Sequence, residues 1–300
     1  MDAGPDITPL ARRAKAYFTE LQELICRSLE ELEPRERFRS DTWTHPQGGG
    51  GFTRVIEGGT VFEKGGVNTS GVTGLLPPSL AKKLRTPPVP FFATGISLVL
   101  HPINPMVPTV HANLRYFERA GGDFWFGGGV DLTPYYVFEG DIAGFHAVLK
   151  SACDRHGADL YARYKKWCDE YFMITHRRET RGVGGVFFDD LRGDGEALFA
   201  FVRSVGDAFL PAYRPIVERR RDEPWGESER SWQLQRRGRY VEFNLVYDRG
   251  TIFGLETGGR VESILMSLPP LARWGYDLAP APGSREEALL QILRQPRAWA

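Results

Sequence analysis

Two of the six histidines, His101 and His111, stand ten positions apart in HPINPMVPTVHANLRYFE, residues 101–118. An imidazole moves protons near neutral pH and also binds borderline metals. Asn113 and Arg115 follow His111 at two-residue spacing, so an extended chain carries all three on one face. FWFGGGVDLTPYY (124–136) sets three glycines directly before Asp131. Glycine lets backbone approach a bulky ligand, and a carboxylate there can accept several N–H donors. HRRETRGVGGVFFDDL (176–191) gathers His176, Arg177, Arg178 and Arg181, and later stretches add Arg236, Arg237, Arg239 and Arg260. Guanidiniums this close call for anions: either substrate carboxylates or the chain's own Glu179, Asp189 and Asp190. Together these residues suit a pocket for a large polycarboxylate ligand. Two plainer readings stand beside it: Asp131 as a turn residue bonding its own backbone, and the His111 row as the solvated face of an ordinary hairpin.

Other chemistries find no support. There is no HExxH, no GxSxG and no cysteine with a convincing partner. The glycine-rich stretch HPQGGGGFTRVIEGGTVFEKGGVNTSGVTG lacks both the GK[ST] of a phosphate loop and a GxGxxG opening a helix. Cys26, Cys153 and Cys168 are scattered and odd in number, which argues against disulfides, a zinc ribbon or a cysteine-held cluster and points to the cytoplasm. Net charge is zero over 300 residues, so neither nucleic acid nor an anionic membrane is expected as a partner. The longest apolar run, PFFATGISLVL, is too short to span a bilayer, and the N-terminus does not read as a signal peptide. Among the basic residues, 31 are Arg and 7 Lys. Carboxylate recognition and arginine-rich codon usage both account for that bias.

The elements that must position these groups follow from periodicity. GISLVLH and VHANLRYF alternate as strands, with Ser97, Val99 and His101 on one face of the first and His111, Asn113 and Arg115 on one face of the second. The prolines between them mark the connection. Thr8 and Pro9 open a long amphipathic helix. The glycine-rich stretch reads as short strands with tight turns. DIAGFHAVLKSACDRHG, LYARYKKWCDEYFMITHR and EALFAFVRSVGDAFL read as helices, with His146 in register with Ile142, Phe145, Leu149 and Cys153. In that register His146 is as much a core histidine as a ligand. GVGGVFFDDL reads as a strand and SREEALLQILRQPRAW as a capped helix. RYVEFNLVYDRGTIFGLE alternates Val241, Phe243, Leu245 and Tyr247 with Glu242, Asn244 and Asp248, which predicts a second hairpin turning at DRG. Its apolar residues on more than one face, like those of VESILMSLPP, predict a self-association surface. The expected fold is α+β, long antiparallel hairpins with helices packed on a sheet. No composition break divides it, so one domain is expected, an N-terminal helix over 1–39 and a body over 40–300.

HPINPMVPTVHANLRYFE, FWFGGGVDLTPYY, YKKWCDEYF, HRRETRGVGGVFFDDL and RRGRYVEFNLVYDRGTIFGLETGGRVESILMSLPP resemble, in this order, the oxygen-dependent coproporphyrinogen III oxidases, from about Ser40 to Trp299. The resemblance implies oxidative decarboxylation of two propionates to vinyl groups in haem biosynthesis. It implies a large antiparallel sheet flanked by helices on both faces, a tetrapyrrole substrate, O2 as cosubstrate, no organic cofactor and a homodimer. By position, His111 matches the family's proton donor and Asp131 the carboxylate that holds pyrrole N–H groups. Ser97, Asn113, Leu114, Arg115, Gly258, Gly259 and Arg260 match substrate contacts, and Arg181 a propionate anchor. His101, His111, His146 and His176 match residues assigned to a divalent metal in bacterial members, so a metal is a candidate cofactor. The chain departs from the family in the short RAGGD link after HANLRYFE and in Phe124, where tryptophan is common.

Overall fold

The computed structural model describes residues 7–76, 81–82, 86–256 and 259–300. Strand periodicity builds one antiparallel sheet from β1 (Arg39–Thr44), β2 (Gly49–Glu57), β3 (Phe62–Leu75), β4 (Pro90–Pro102), β5 (Thr109–Arg119), β6 (Asp123–Thr133) and β9 (Gly184–Leu191), side by side in that order. β7 (Met173–Ile174) and β8 (Glu179–Thr180) pair separately. The glycine-rich stretch forms long strands rather than short ones, β3 reaching 14 residues. Alternation sorts the side chains: Ile96, Leu98, Leu100, Leu114 and Tyr116 are buried on one face, while Ser97, His111, Asn113 and Arg115 lie on the other.

Helix α1 (Pro9–Glu30) covers the apolar face. Thr8 caps it by accepting from the Ala11 N–H, and buried Gln22 donates to the carbonyls of Phe52 and Val67. The chain then adds α2 (Glu139–Asp154), α3 (Leu160–Tyr171), α4 (Gly195–Asp207), α5 (Phe209–Arg220), α6 (Glu227–Val246), α7 (Arg249–Glu256), α8 (Val261–Leu265) and α9 (Arg285–Arg294). α4 joins α1, with Gly206 against Tyr17 and Leu114. On the opposite face, α8 and the residues after it cover part of the sheet: Asn68 donates to the Ser263 carbonyl, and Met266 lies over Gly66. The short β5–β6 link is a tight turn in which Gly121 and Gly122 take φ of 100° and 81°, angles that favour glycine.

The expected second hairpin is a helix. Residues 239–246 belong to α6, and 249–256 to α7. α6 buries Trp232, Gln233, Arg236, Arg237, Tyr240, Phe243 and Asn244, a stripe at helical spacing. Four of its members, Gln233, Arg236, Arg237 and Asn244, are polar, so a count of apolar residues alone loses the stripe and leaves only the alternating end. Arg236 is buried against Glu179 at 2.7 Å, and Arg237 against Glu63 at 2.6 Å and the Pro102 carbonyl. Those ion pairs make a helix that reads as polar a core element.

Just past α1, Glu33 is fully buried. Its carboxylate accepts from the N–H groups of Arg35, Thr60, Val61 and Phe62 at 2.7–3.1 Å, and from the Thr60 hydroxyl. Burial pushes this carboxyl up, but the backbone donors outweigh it and hold the group at about 2. A depressed folded value means the stabilisation is present above the unfolded carboxyl's value and is lost as pH falls toward 2. Glu33→Gln should therefore cost roughly 2–3 kcal/mol at pH 7, and the gap to the parent should close as pH falls from 5 to 2. Urea midpoints at several pH values check this; a pH-independent gap would sink it.

Candidate active site

The polar face of β2–β6 is built in rows. Register places Thr53, Asn68, Ser97, Asn113 and Gly129 across adjacent strands, and beside them Val55, Gly66, Val99, His111 and Asp131. The next row carries Ser70, Gly95, Arg115 and Gly127. Glycine at 95, 127 and 129 leaves this floor bare beside Asn113 and Arg115.

His111 and Asp131 are direct cross-strand neighbours, and the His111 Nδ1 lies 2.7 Å from the Asp131 Oδ1. Behind Asp131 lies Arg181, whose Nη2 donates to both carboxylate oxygens at 3.0 and 2.8 Å. Arg181 Nη1 donates to the Asn244 Oδ1 at 2.8 Å, and its guanidinium sits over the rings of Phe172, Tyr240 and Phe243 at 4.1–4.9 Å. The side chains of Asp131 and Arg181 are each 2% exposed, against 22% for His111. Burial drives the Asp131 carboxyl up, yet the charges and hydrogen bonds of Arg181 and His111 prevail and hold it below the usual carboxylate range. An ionised carboxylate only accepts, so Nδ1 of His111 carries the hydrogen and Nε2 is left for the cleft.

Ser97 and Asn113 pair across β4 and β5 on this floor. Arg115 lies along it, donating to the Asn113 Oδ1 at 2.9 Å and pairing with Asp189 at 2.7 Å. Arg260, at the start of α8, pairs with Asp41 and donates to Ser263. Gly259 sits in the α7–α8 link, its N–H bonded to the Gly254 carbonyl, and Gly258 falls outside the described residues. The side chain of Leu114 points the other way, 1% exposed in the core under α4, so strand alternation removes it from the cleft. Arg181, expected as a propionate anchor, is buried and committed to Asp131. Arg177 pairs with Glu242 and Arg236 with Glu179, so the arginine-rich segments largely answer their charge within the protein.

The four histidines expected at a metal do not converge. His101 is buried, with Nδ1 on the Thr109 hydroxyl and Nε2 on the Ser267 carbonyl. Burial and the nearby Arg237 push its imidazole well below the ordinary value, so it is neutral. His146 is in the core of α2, Nδ1 on the Tyr161 hydroxyl, pushed down to about 3 by burial. His176 holds Tyr247 and Glu242 with its two nitrogens. Among the described residues no group of three or more His, Cys, Asp or Glu could hold a metal ion. The donor set does not fit a metal centre.

Sequence patterns missed several neighbours. Asp41 and Arg249 lie among ordinary charged residues, and nothing in their spacing marks them; Asp189, expected to answer the arginines around 177–181, pairs instead with Arg115. Phe91, Phe117 and Trp125 stack across β4–β6 at 5.3 and 4.4 Å, with Arg192 over Trp125. Phe117 stands two residues from Arg115 and Trp125 two from Gly127, and that alternation carries the signal. A separate cavity of about 480 Å³ opens at the far end of β4 and β5 beside Thr8, Tyr116 and Glu118, and none of the expected site residues line it.

A histidine backed by a buried carboxylate and guanidinium, on a glycine floor edged by arginines, has the chemistry to exchange protons beside an anionic ligand. The sequence matches the coproporphyrinogen III oxidase family over residues 13–299, and the chain belongs to that family. Its members are oxygen-dependent enzymes of haem biosynthesis that convert coproporphyrinogen III to protoporphyrinogen IX.

Proposed function

We propose that coproporphyrinogen III is oxidised on the β2–β6 floor, with His111 as the proton-handling group and Arg115 and Arg260 as propionate anchors. Ser97 and Asn113 offer hydrogen bonds to the macrocycle beside them. The observation that carries this is the line His111–Asp131–Arg181, which turns one imidazole nitrogen toward the same floor as Ser97, Asn113 and Arg115. Asp131 has three of its lone pairs taken by His111 and Arg181, leaving one for a pyrrole N–H. Loss of a pyrrole proton makes the ring electron-rich enough to meet oxygen. For each propionate, O2 takes up two hydrogens as hydrogen peroxide, carbon dioxide leaves and a vinyl group remains. The protein supplies orientation and charge placement. Incubating the purified protein with coproporphyrinogen III in air, and reading protoporphyrin fluorescence after oxidation, tests it. A carrier of anionic tetrapyrroles would bind the substrate and form no product.

Turnover on this scheme needs no metal. Exhaustive chelation should leave most of the activity, and metal analysis should find well under one ion per chain. A stoichiometric ion whose removal abolishes turnover, with recovery on re-addition, would reverse this.

We further propose a two-fold dimer. What supports it is that Leu245, Val246, Leu255, Val261, Leu271 and Trp274 are all more than 40% exposed in and just after α6–α8, apolar side chains that a two-fold contact would cover. Light scattering at micromolar concentration should give twice the chain mass, and Val246→Asp should shift it toward the monomer. The N-terminal helix belongs to the catalytic body on this view, since Ala14, Phe18 and Ile25 are buried in the core shared with β4 and β5. Three free, buried cysteines suit the cytoplasm. No helix among the described residues is long and apolar enough to cross a membrane.

A further inference from the structure

The pair between Arg115 and Asp189 is built into the sheet. Asp189 lies at the end of β9, where the register against β6 shifts between Phe126 and Gly128. A bulge of this kind re-aims a side chain. The next residue, Asp190, takes φ of 51°, a left-handed conformation unusual for a residue other than glycine. Gly127 lies directly beneath the contact: a Cβ there would stand 2.7 Å from both the Arg115 Nη2 and the Asp189 Oδ1. Bulge, turn and bare glycine together direct one carboxylate onto the guanidinium that faces the cleft. Asp189 also has a second cation within reach, the Arg249 Nη2 at 3.8 Å from its Oδ2. The other anchor has the same arrangement, Arg260 being paired with Asp41.

We propose that Asp189 is a placeholder carboxylate: it holds Arg115 extended over the floor while the cleft is empty and yields it to a substrate carboxylate. This rests on Arg115 being a propionate anchor. Nη1 of Arg115 stays on Asn113, so the fork keeps its plane while Nη2 exchanges one carboxylate for another. Asp189 then turns to Arg249. A substrate carboxylate must displace an internal one, so apparent affinity is lowered and a product that has lost that carboxylate is released more readily. The side chains of Arg115 and Asp189 are 38% and 26% exposed, so the competition is modest in size.

Asp189→Asn keeps an acceptor for Arg115 and removes the competing charge. It should lower KM for coproporphyrinogen III, and Kd for the non-reacting tetracarboxylate coproporphyrin III, by roughly two- to fivefold. Arg115→Ala should raise both, and adding Asp189→Asn to Arg115→Ala should change neither further. An unchanged or raised Kd in Asp189→Asn, with Arg115→Ala raised, overturns the placeholder and leaves the anchor standing. An unchanged Kd in Arg115→Ala removes the anchor itself. A gain that persists without Arg115 also overturns the placeholder, because it then acts through net charge. Melting temperatures accompany each variant, and Asp189→Ser, neutral and smaller, repeats the measurement should the amide disturb the strand end.

Discussion

Asp131→Asn should lower kcat by roughly thirty- to a thousandfold, the equivalent of about 2–4 kcal/mol, with a smaller change in KM. The amide is nearly isosteric but brings an NH2 to a place where His111 and Arg181 both donate. One donor must then face another, and the His111 tautomer that turns Nε2 to the cleft is no longer held. The missing charge acts on the reacting centre, either through His111 or on a pyrrole N–H directly, so the loss belongs in the chemical step. Stopped-assay kcat and KM on protein shown to be folded by circular dichroism check it. Near-normal kcat with only a raised KM would reduce Asp131 to a structural support and leave His111 to act alone.

The polar row was legible because β-structure has a period of two and its members all lie on one face: Ser97, Asn113, His111 and Arg115 needed only alternation and the three prolines between the strands to be placed together. Asp131 joined them through the glycines before it. Its buried partner was not legible, because Arg181 is fifty positions away and reaches Asp131 through tertiary packing that no spacing encodes. An arginine clustered with Arg177 and Arg178 reads as waiting for an anion, substrate carboxylate or Glu179, Asp189 and Asp190, yet Phe172, Tyr240 and Phe243 enclose Arg181 against Asp131. The same blindness produced the false hairpin. Arg236 and Arg237 occupy core positions of α6 only because Glu179 and Glu63 neutralise them, and a polarity count cannot see that. Glu33 is a third instance, a carboxylate in an acidic stretch that the fold buries among backbone donors. Where apolar burial decides the structure, periodicity reveals it. Where paired charge is buried, periodicity misleads.

Arg181→Ala should then behave as the loss of a core group rather than of a substrate anchor. It would strand the Asp131 carboxylate in the interior with the His111 Nδ1–H as its remaining side-chain hydrogen-bond partner. Breaking a buried pair from one side costs about 3–5 kcal/mol, because the other charge stays behind without compensation. For a chain of this size that corresponds to a fall in melting temperature of roughly 10 °C. The carboxyl, deprived of the guanidinium that holds it below the usual range, should move up as burial dominates, so catalysis should fall and shift in pH dependence as Asp131 titrates closer to neutrality. Arg181→Lys keeps the charge but not the fork that serves both oxygens, and should lie between the two. Scanning calorimetry and kcat against pH distinguish this from anchoring. A variant that melts normally, keeps its kcat and pH profile and shows only a raised KM would mean that Arg181 leaves Asp131 to meet a propionate. The His111–Asp131 pair would then have to stand without it during turnover.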